Sequence, residues 1–94
     1  MPKPWYIVKV KKGREQLIAR TIGWEVSRVG LEDQIGRILT LHQCPGYLLI
    51  NMDLTHKAAR LVREMAGVED FSGAAGKPVP METKEVVRMI CGEG

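Results

Sequence analysis

The stretch Pro45-Gly46-Tyr47-Leu48-Leu49-Ile50-Asn51-Met52 decides how this chain folds. A proline and a glycine mark a turn, and the residues after them form an apolar run of strand length. Ile35 to Leu41 has the pattern of a second strand, and only His42-Gln43-Cys44-Pro45 separates the two. A connection this short predicts an antiparallel hairpin.

The residues before the hairpin predict a strand and then a helix. Trp5 to Lys11 alternates and is rich in β-branched and aromatic residues, as strands are. One face would carry Tyr6, Val8 and Val10, and the other Trp5, Ile7, Lys9 and Lys11. From Arg14 the spacing becomes helical, with an inward stripe of Ile18, Ile22, Val26 and Val29. Gly23 should weaken this helix by about 1 kcal/mol relative to alanine, and Gly30 should end it.

The residues after the hairpin predict a helix, a short strand and a last helix. The first helix should run from Thr55, its N-cap, to Met65. Its inward residues would be Ala58, Leu61, Val62 and Met65. A fourth strand is expected over 68–72, a turn over 73–78, and a helix over 81–91 with Val86, Val87 and Ile90 facing inward.

These elements give the order βαββαβα. We therefore predict one α+β domain over residues 1–94, with an antiparallel four-stranded sheet, helices packed on one face of it, and a ferredoxin-like arrangement. Trp5 and Tyr47, or their neighbours, would then lie on the other face or at its margin. An exposed aromatic and aliphatic patch of this kind usually marks a partner site.

The positive charge is concentrated at one end of the chain. The net charge is +3, and five of the 14 basic residues precede the first acidic residue, Glu15. This N-terminal cluster could meet phosphates, or its lysines could simply guard a strand edge. No signal peptide or membrane-length apolar run is visible, so we expect a cytoplasmic protein with reduced, buried or half-buried thiols at Cys44 and Cys91.

Catalytic chemistry has no candidate residues. His42 and Cys44 lack the second ligand pair that a zinc site requires. Gly76-Lys77 lacks both the preceding glycine and the following hydroxyl residue of a phosphate-binding loop, because Phe71 and Pro78 occupy those positions. We expect neither an enzyme nor a metal or other cofactor.

Five stretches in register resemble the N-terminal (NGN) domain of NusG-type transcription factors. They are Trp5-Tyr6-Ile7-Val8, Gly30-Leu31-Glu32-Asp33, Pro45 to Met52, Gly67-Val68 with Phe71, and Gly76-Lys77-Pro78-Val79-Pro80. The resemblance covers nearly the whole chain. It implies a factor for transcription elongation, termination or antitermination that grips the clamp helices of the largest RNA polymerase subunit and favours processive elongation.

The resemblance also implies site residues. The polymerase-binding positions would be Trp5, Tyr6, Cys44, Pro45, Tyr47, Leu49, Phe71 and Val86, although Trp5 fits a core role equally well. Contacts to non-template DNA would come from Lys11, Lys12, Arg14, Thr55 and His56.

The sequence departs from the family pattern in three places. Cys44 stands where the family typically has an aromatic residue, which would make the polymerase pocket smaller or its grip weaker. The hairpin is also shortened. The 94 residues contain no C-terminal KOW domain, so they would be either a fragment of a longer protein or a compact paralogue. Partners of that domain, Rho or the ribosome, would be out of reach of this chain. We expect a monomer.

Two other functions compete with this interpretation. A small domain for single-stranded nucleic acid would use Trp5 as a stacking platform beside Lys9 and Lys11 on the sheet. An oligomerising sensor domain of ferredoxin-like shape is the third possibility.

Overall fold

The computed structural model of the chain describes residues 3–41, 43–73 and 78–91. The elements are β1 (Trp5–Val10), α1 (Glu15–Val29), β2 (Ile35–Thr40), β3 (Tyr47–Met52), α2 (His56–Arg63), β4 (Val68–Phe71) and α3 (Thr83–Cys91). The predicted order and the α+β class are confirmed, and each boundary lies within two residues of its prediction. Most of the turn predicted over 73–78 falls outside the described residues.

The four strands form one antiparallel sheet in the order β2-β3-β1-β4, which is the ferredoxin-like order. In the central pair, Trp5 lies opposite Asn51 and Lys9 opposite Tyr47. The start of β3 therefore lies beside the end of β1. This register brings the β2–β3 connection next to the β1–α1 connection.

Helices α1 and α2 cover one face of the sheet. The core on this face combines the even-numbered side chains of β1 with the inward stripe of α1: Tyr6, Val8, Val10, Ile18, Ile22 and Val26. Gly30 ends α1 in the left-handed conformation, and Thr55 caps α2 by accepting a hydrogen bond from the Ala58 N–H. Val29, predicted to face inward, is exposed because α1 reaches its last turn there.

Helix α3 covers the opposite face, so the prediction that the helices share one face is wrong. A second core cluster contains Trp5, Leu41, Leu49 and Val86. Pairing with β4 reaches only from Val8 to Val10, which leaves the first half of β1 open on that side. Trp5 uses this edge to exchange two backbone hydrogen bonds of 2.8 Å with Met81, which brings the chain across to the second face.

The inward side of α3 is narrower than predicted. Val86 is buried and Met89 is partly buried against the second cluster. Val87 and Ile90 were predicted to face inward, but they are 50 % and 44 % exposed. A short helix lying on a sheet needs only positions three or four apart for its contact, and the remaining apolar residues stay in solvent.

Candidate functional site

The end of the β2–β3 hairpin and the last turn of α3 form one surface. Tyr47, the first residue of β3, and Met89 of α3 are both partly buried against the second core cluster. Cys44 and Pro45 precede Tyr47 and are exposed. These four residues are called the hairpin surface below. It combines a partly buried tyrosine with exposed loop residues and a side chain from the last turn of α3.

Gln43 holds the hairpin against α3. Its side-chain amide donates to the carbonyl oxygens of Met89, at 3.0 Å, and Ile90, at 2.8 Å. The last carbonyls of a helix have no partner within the helix. The Gln43 amide therefore satisfies groups that would otherwise need water, and it fixes the loop relative to the helix.

Gly46 connects the hairpin to the start of α1. Its φ of +90° is a conformation that favours glycine. Its carbonyl accepts from the Val10 N–H at 2.8 Å, and its N–H donates to the Glu15 carboxylate at 2.6 Å. The other Glu15 oxygen accepts from the Gly13 N–H at 2.9 Å. Hydrogen bonds from its own backbone N–H and from that of Gly46 lower the pKa of the Glu15 carboxyl below its ordinary value of 4.5.

The basic cluster of Lys11, Lys12 and Arg14 lies at this same end of the sheet. All three side chains are exposed, and none forms an ion pair with a carboxylate in the described part of the chain. The Lys11 N–H donates to the Gly67 carbonyl at 2.8 Å, which anchors the backbone and leaves the side chain free. The cluster and the hairpin surface are thus neighbours.

Thr55 and His56 lie at the opposite end of the sheet. The register places the end of β3 beside Trp5, at the start of β1. Lys11 follows Trp5 by six positions, or about 20 Å at 3.3 Å per residue. Thr55 also has a local role, since its hydroxyl caps α2 and donates to the Gln34 side chain. The five residues proposed for DNA contact therefore do not form one patch.

Two of the proposed polymerase contacts point away from the hairpin surface. Tyr6 and Phe71 are buried on the α1–α2 face, where their rings pack edge to face with centroids 6.1 Å apart. The Arg63 guanidinium lies 5.2 Å from the centre of the Phe71 ring. Burial, with a smaller contribution from Asp53, raises the pKa of the Tyr6 hydroxyl. These contacts account for both rings as part of the core.

Three more of the proposed contacts are buried in the second core cluster, between the sheet and α3. Leu49 has no exposed surface, and Val86 and Trp5 are buried. The Trp5 indole donates to the Thr83 hydroxyl at 3.3 Å, at the start of α3. A stacking platform on the sheet would need an exposed ring. Trp5 therefore does not provide the platform that the competing nucleic-acid interpretation required.

Sequence reasoning missed Glu15 and Gln43, which fix the hairpin, and it also missed the exposed ring of Trp24. Trp24 is 79 % exposed on α1, and its position opposite the stripe of Ile22 and Val26 could have revealed this. No local signal could have found the other two. Their partners lie 31 positions away for Glu15 and 46 and 47 positions away for Gln43.

Cys44 is an exposed free thiol, which corrects the expectation that it is buried. The side chain of Cys91, like His42 and the 76–77 part of the glycine-rich loop, falls outside the described residues. Within residues 3–41, 43–73 and 78–91, no group of three or more histidine, cysteine or acidic side chains could hold a metal ion. The described helices are all too short or too polar to span a membrane.

Comparison with known proteins decides the family. The family model for the transcription termination factor nusG matches residues 3–90. The chain belongs to the NusG family. The transcription termination/antitermination protein NusG of Streptomyces coelicolor is 29 % identical over 110 aligned residues, which cover 99 % of this chain and 37 % of that protein.

Solved structures agree with this assignment. Thermotoga maritima NusG superposes with a TM-score of 0.82 at 27 % identity, over 98 % of this chain and 59 % of that one. The N-terminal domain of NusG (NGN) from Methanocaldococcus jannaschii shares the fold, with a TM-score of 0.69 at 17 % identity over 90 % of this chain and 98 % of that domain. The chain thus has the NGN fold and spans well under two thirds of these bacterial NusG proteins.

Proposed function

We propose that this NGN-type domain binds RNA polymerase through the hairpin surface, with the clamp helices of the largest subunit as its partner. The observation that carries the proposal is the partly buried Tyr47 ring, which packs on the same core cluster as Met89 of α3 in a chain of the NusG family. Partly buried aromatic residues commonly anchor helical partners. Binding that favours the elongating conformation would stabilise it by the difference in affinity and so support processive transcription.

The buried residues beneath the surface have a supporting role in this proposal. Leu49 and Val86 cannot reach a partner without unfolding α3, because they have little or no exposed surface. They instead belong to the cluster against which Tyr47 and Met89 pack. Cys44 and Pro45 complete the rim of the contact. The thiol buries less area than the aromatic ring common at this position, so the grip should be weaker than that of a typical family member.

The basic cluster supports a second contact, to non-template DNA. Lys11, Lys12 and Arg14 are exposed without ion pairs to the described carboxylates and adjoin the hairpin surface. If Tyr47 binds polymerase, the basic cluster would therefore lie beside that contact. Lysine and arginine contacts to phosphates position a protein on DNA without recognising the base sequence.

In the intact protein, we propose that this domain acts in the cytoplasm as a monomeric, non-enzymatic subunit of the elongation complex. Any effect on termination or antitermination would depend on how the bound domain changes pausing. The Streptomyces and Thermotoga relatives are longer than this chain, which covers 37 % and 59 % of them, so the proposal concerns this domain alone.

Co-purification tests the proposal. The tagged chain should retain bacterial core RNA polymerase, and Tyr47→Ala should abolish most of that retention. The exposed Val79, which lies outside the hairpin surface, gives a matched control, and Val79→Ala should retain polymerase normally. Submicromolar binding to free single-stranded nucleic acid without any polymerase retention would contradict the proposal.

A further inference from the structure

The loop that carries the hairpin surface is anchored at both of its ends. Cys44 and Pro45 are exposed, and the residues on either side of them, Gln43 and Gly46, make hydrogen bonds to other parts of the fold. Tyr47 follows Gly46 directly in the chain. The position of the hairpin surface therefore depends on the contacts of residues 43 and 46.

Gly46 is held through both of its backbone polar groups. It is buried; its carbonyl accepts from the Val10 N–H at 2.8 Å, and its N–H donates to the Glu15 carboxylate at 2.6 Å. A Cβ at this position would lie 3.6 Å from the Val10 carbonyl oxygen, so the loop packs closely on the end of β1. Without the Glu15 carboxylate a buried N–H would lose its acceptor, and an unsatisfied buried donor is costly. The hairpin would then have to shift until water reaches this N–H.

Gln43 anchors the other end of the loop to α3. Its side-chain amide donates to the carbonyl oxygens of Met89 at 3.0 Å and Ile90 at 2.8 Å. Both bonds are exposed, so water can replace the amide at little cost to the helix. Gln43 therefore contributes mainly to the position of the loop, and its removal should leave the fold intact.

We infer that Glu15 and Gln43 are positioning residues for the polymerase contact, which hold the hairpin surface in its binding conformation without touching polymerase themselves. This role presupposes the proposed function, since it concerns the same surface. A loop that is already ordered in the free chain does not have to be ordered on binding, which is a cost that association otherwise includes. When an anchor is lost, only a fraction of the chains has the hairpin in place, and the apparent affinity falls in proportion to that fraction.

Association and dissociation rates distinguish a positioning residue from a contact residue. Loss of an anchor lowers the fraction of chains that can bind, so it lowers the association rate and leaves the dissociation rate of the formed complex unchanged. Loss of a contact mainly raises the dissociation rate. The two roles therefore predict opposite kinetic signatures.

Binding kinetics on immobilised bacterial core RNA polymerase provide the measurement. Glu15→Gln should lower the association rate at least about fivefold, the lower end of the cost of an unsatisfied buried donor. Gln43→Ala should lower it about threefold, as for an exposed hydrogen bond. Both variants should keep the wild-type dissociation rate, whereas Tyr47→Ala should raise it. Glu32→Gln, exposed at the other end of the sheet, is the matched control for Glu15→Gln and should change neither rate.

Proton–nitrogen correlation spectra of the free variants separate repositioning of the hairpin from unfolding. The Gly46 amide signal should move in Glu15→Gln, because its hydrogen-bond acceptor changes. The indole signal of the buried Trp5 should keep its folded position and full intensity. Association rates are then compared at equal concentrations of folded chain.

Wild-type association rates in both anchor variants, with Tyr47→Ala impaired, would overturn the inference and leave the proposed function in place. A raised dissociation rate in Glu15→Gln or Gln43→Ala, with association unchanged, would make that side chain a direct contact and overturn the inference as well. A wild-type chain that does not bind polymerase would overturn the proposed function and, with it, this role of the two residues.

Discussion

Glu15 is the residue that fixes the hairpin relative to the basic cluster. Its carboxylate receives the N–H groups of Gly13, in the β1–α1 connection, and of Gly46, at the start of β3. Both oxygens are acceptors in the ionised carboxylate, whereas protonation turns one of them into a donor. The geometry of the candidate site at this end of the sheet thus depends on a charge at position 15.

Replacing Glu15 by glutamine should lower the free energy of unfolding at neutral pH but not in acid. The pKa of Glu15 is lower in the folded chain than its ordinary value of 4.5, so its contribution is fully present above that value. It is lost as the pH falls through the folded pKa. Urea unfolding at pH 7 and at pH 3 should therefore show a gap between wild type and Glu15→Gln that closes in acid. Glu32→Gln, an exposed control, should show no such gap, and a constant gap for Glu15→Gln would contradict the account.

At this scale the sequence predicted residues with local signals and missed those with distant partners. Pro45-Gly46-Tyr47 indicated the turn and the aromatic residue that the structure places at the hairpin end. The exposure of Cys44 could not be predicted, because apolar residues nearby in the sequence do not show whether a loop side chain faces the core or the solvent. The Glu15 contact needed the sheet register, which no short window contains.

Helix α1 is less stable than its length allows, because it contains a glycine. Gly23 lies inside the helix, and a methyl group added there would meet no atom within 4 Å. Gly23→Ala should therefore raise the free energy of unfolding by about 0.5–1 kcal/mol, because alanine loses less backbone entropy in a helix. The rise should appear as a higher urea midpoint with an unchanged slope.

Gly36→Ala provides the contrasting variant. Its added methyl group would lie 3.1 Å from the Asn51 side-chain oxygen and 3.2 Å from the Asn51 carbonyl oxygen. Asn51 donates to the carbonyls of Lys3 and Pro4, so moving it would weaken the start of β1. Gly36→Ala should lower the free energy of unfolding. Equal effects of the two substitutions would show that local space does not control glycine replacement in this chain.

The sequence predicted the elements better than their arrangement. Alternation in β1 assigned Tyr6 and Val8 to one face and Trp5 and Ile7 to the other, and the two core clusters confirm this division. The prediction of the sheet face that α3 covers was wrong, because an amphipathic helix has the same sequence pattern whichever face of the sheet it packs on. The packing of Val86 and Met89 with Leu49 shows the side, and these residues are far apart in the chain.

At the scale of the whole molecule, one end of the sheet carries two candidate surfaces side by side. The hairpin surface offers an aromatic side chain, and the basic cluster offers charge that forms no ion pair within the described residues. Thr55 and His56 lie at the other end. The proposed polymerase and DNA contacts would thus lie at the same end, as expected of a factor that binds where polymerase and the non-template strand are adjacent.

The double variant Lys11→Glu with Lys12→Glu tests the charged part of this arrangement. It should weaken binding to an elongation complex at low salt more than binding to core polymerase without DNA, because only the former offers phosphates. The difference should shrink as salt is raised. Arg37→Glu with Lys84→Glu, at two exposed positions outside the basic cluster, changes the net charge by the same amount and is the control. Equal losses with and without DNA would argue against a DNA contact.

Competition with a full-length bacterial NusG for core RNA polymerase tests the central claim most directly. If the hairpin surface binds the clamp helices, unlabelled chain should displace labelled NusG completely, and Tyr47→Ala should need at least about tenfold more protein, as expected when a buried aromatic anchor is removed. Binding of the chain alongside NusG without displacement, or displacement by Tyr47→Ala as effective as by wild type, would contradict the account.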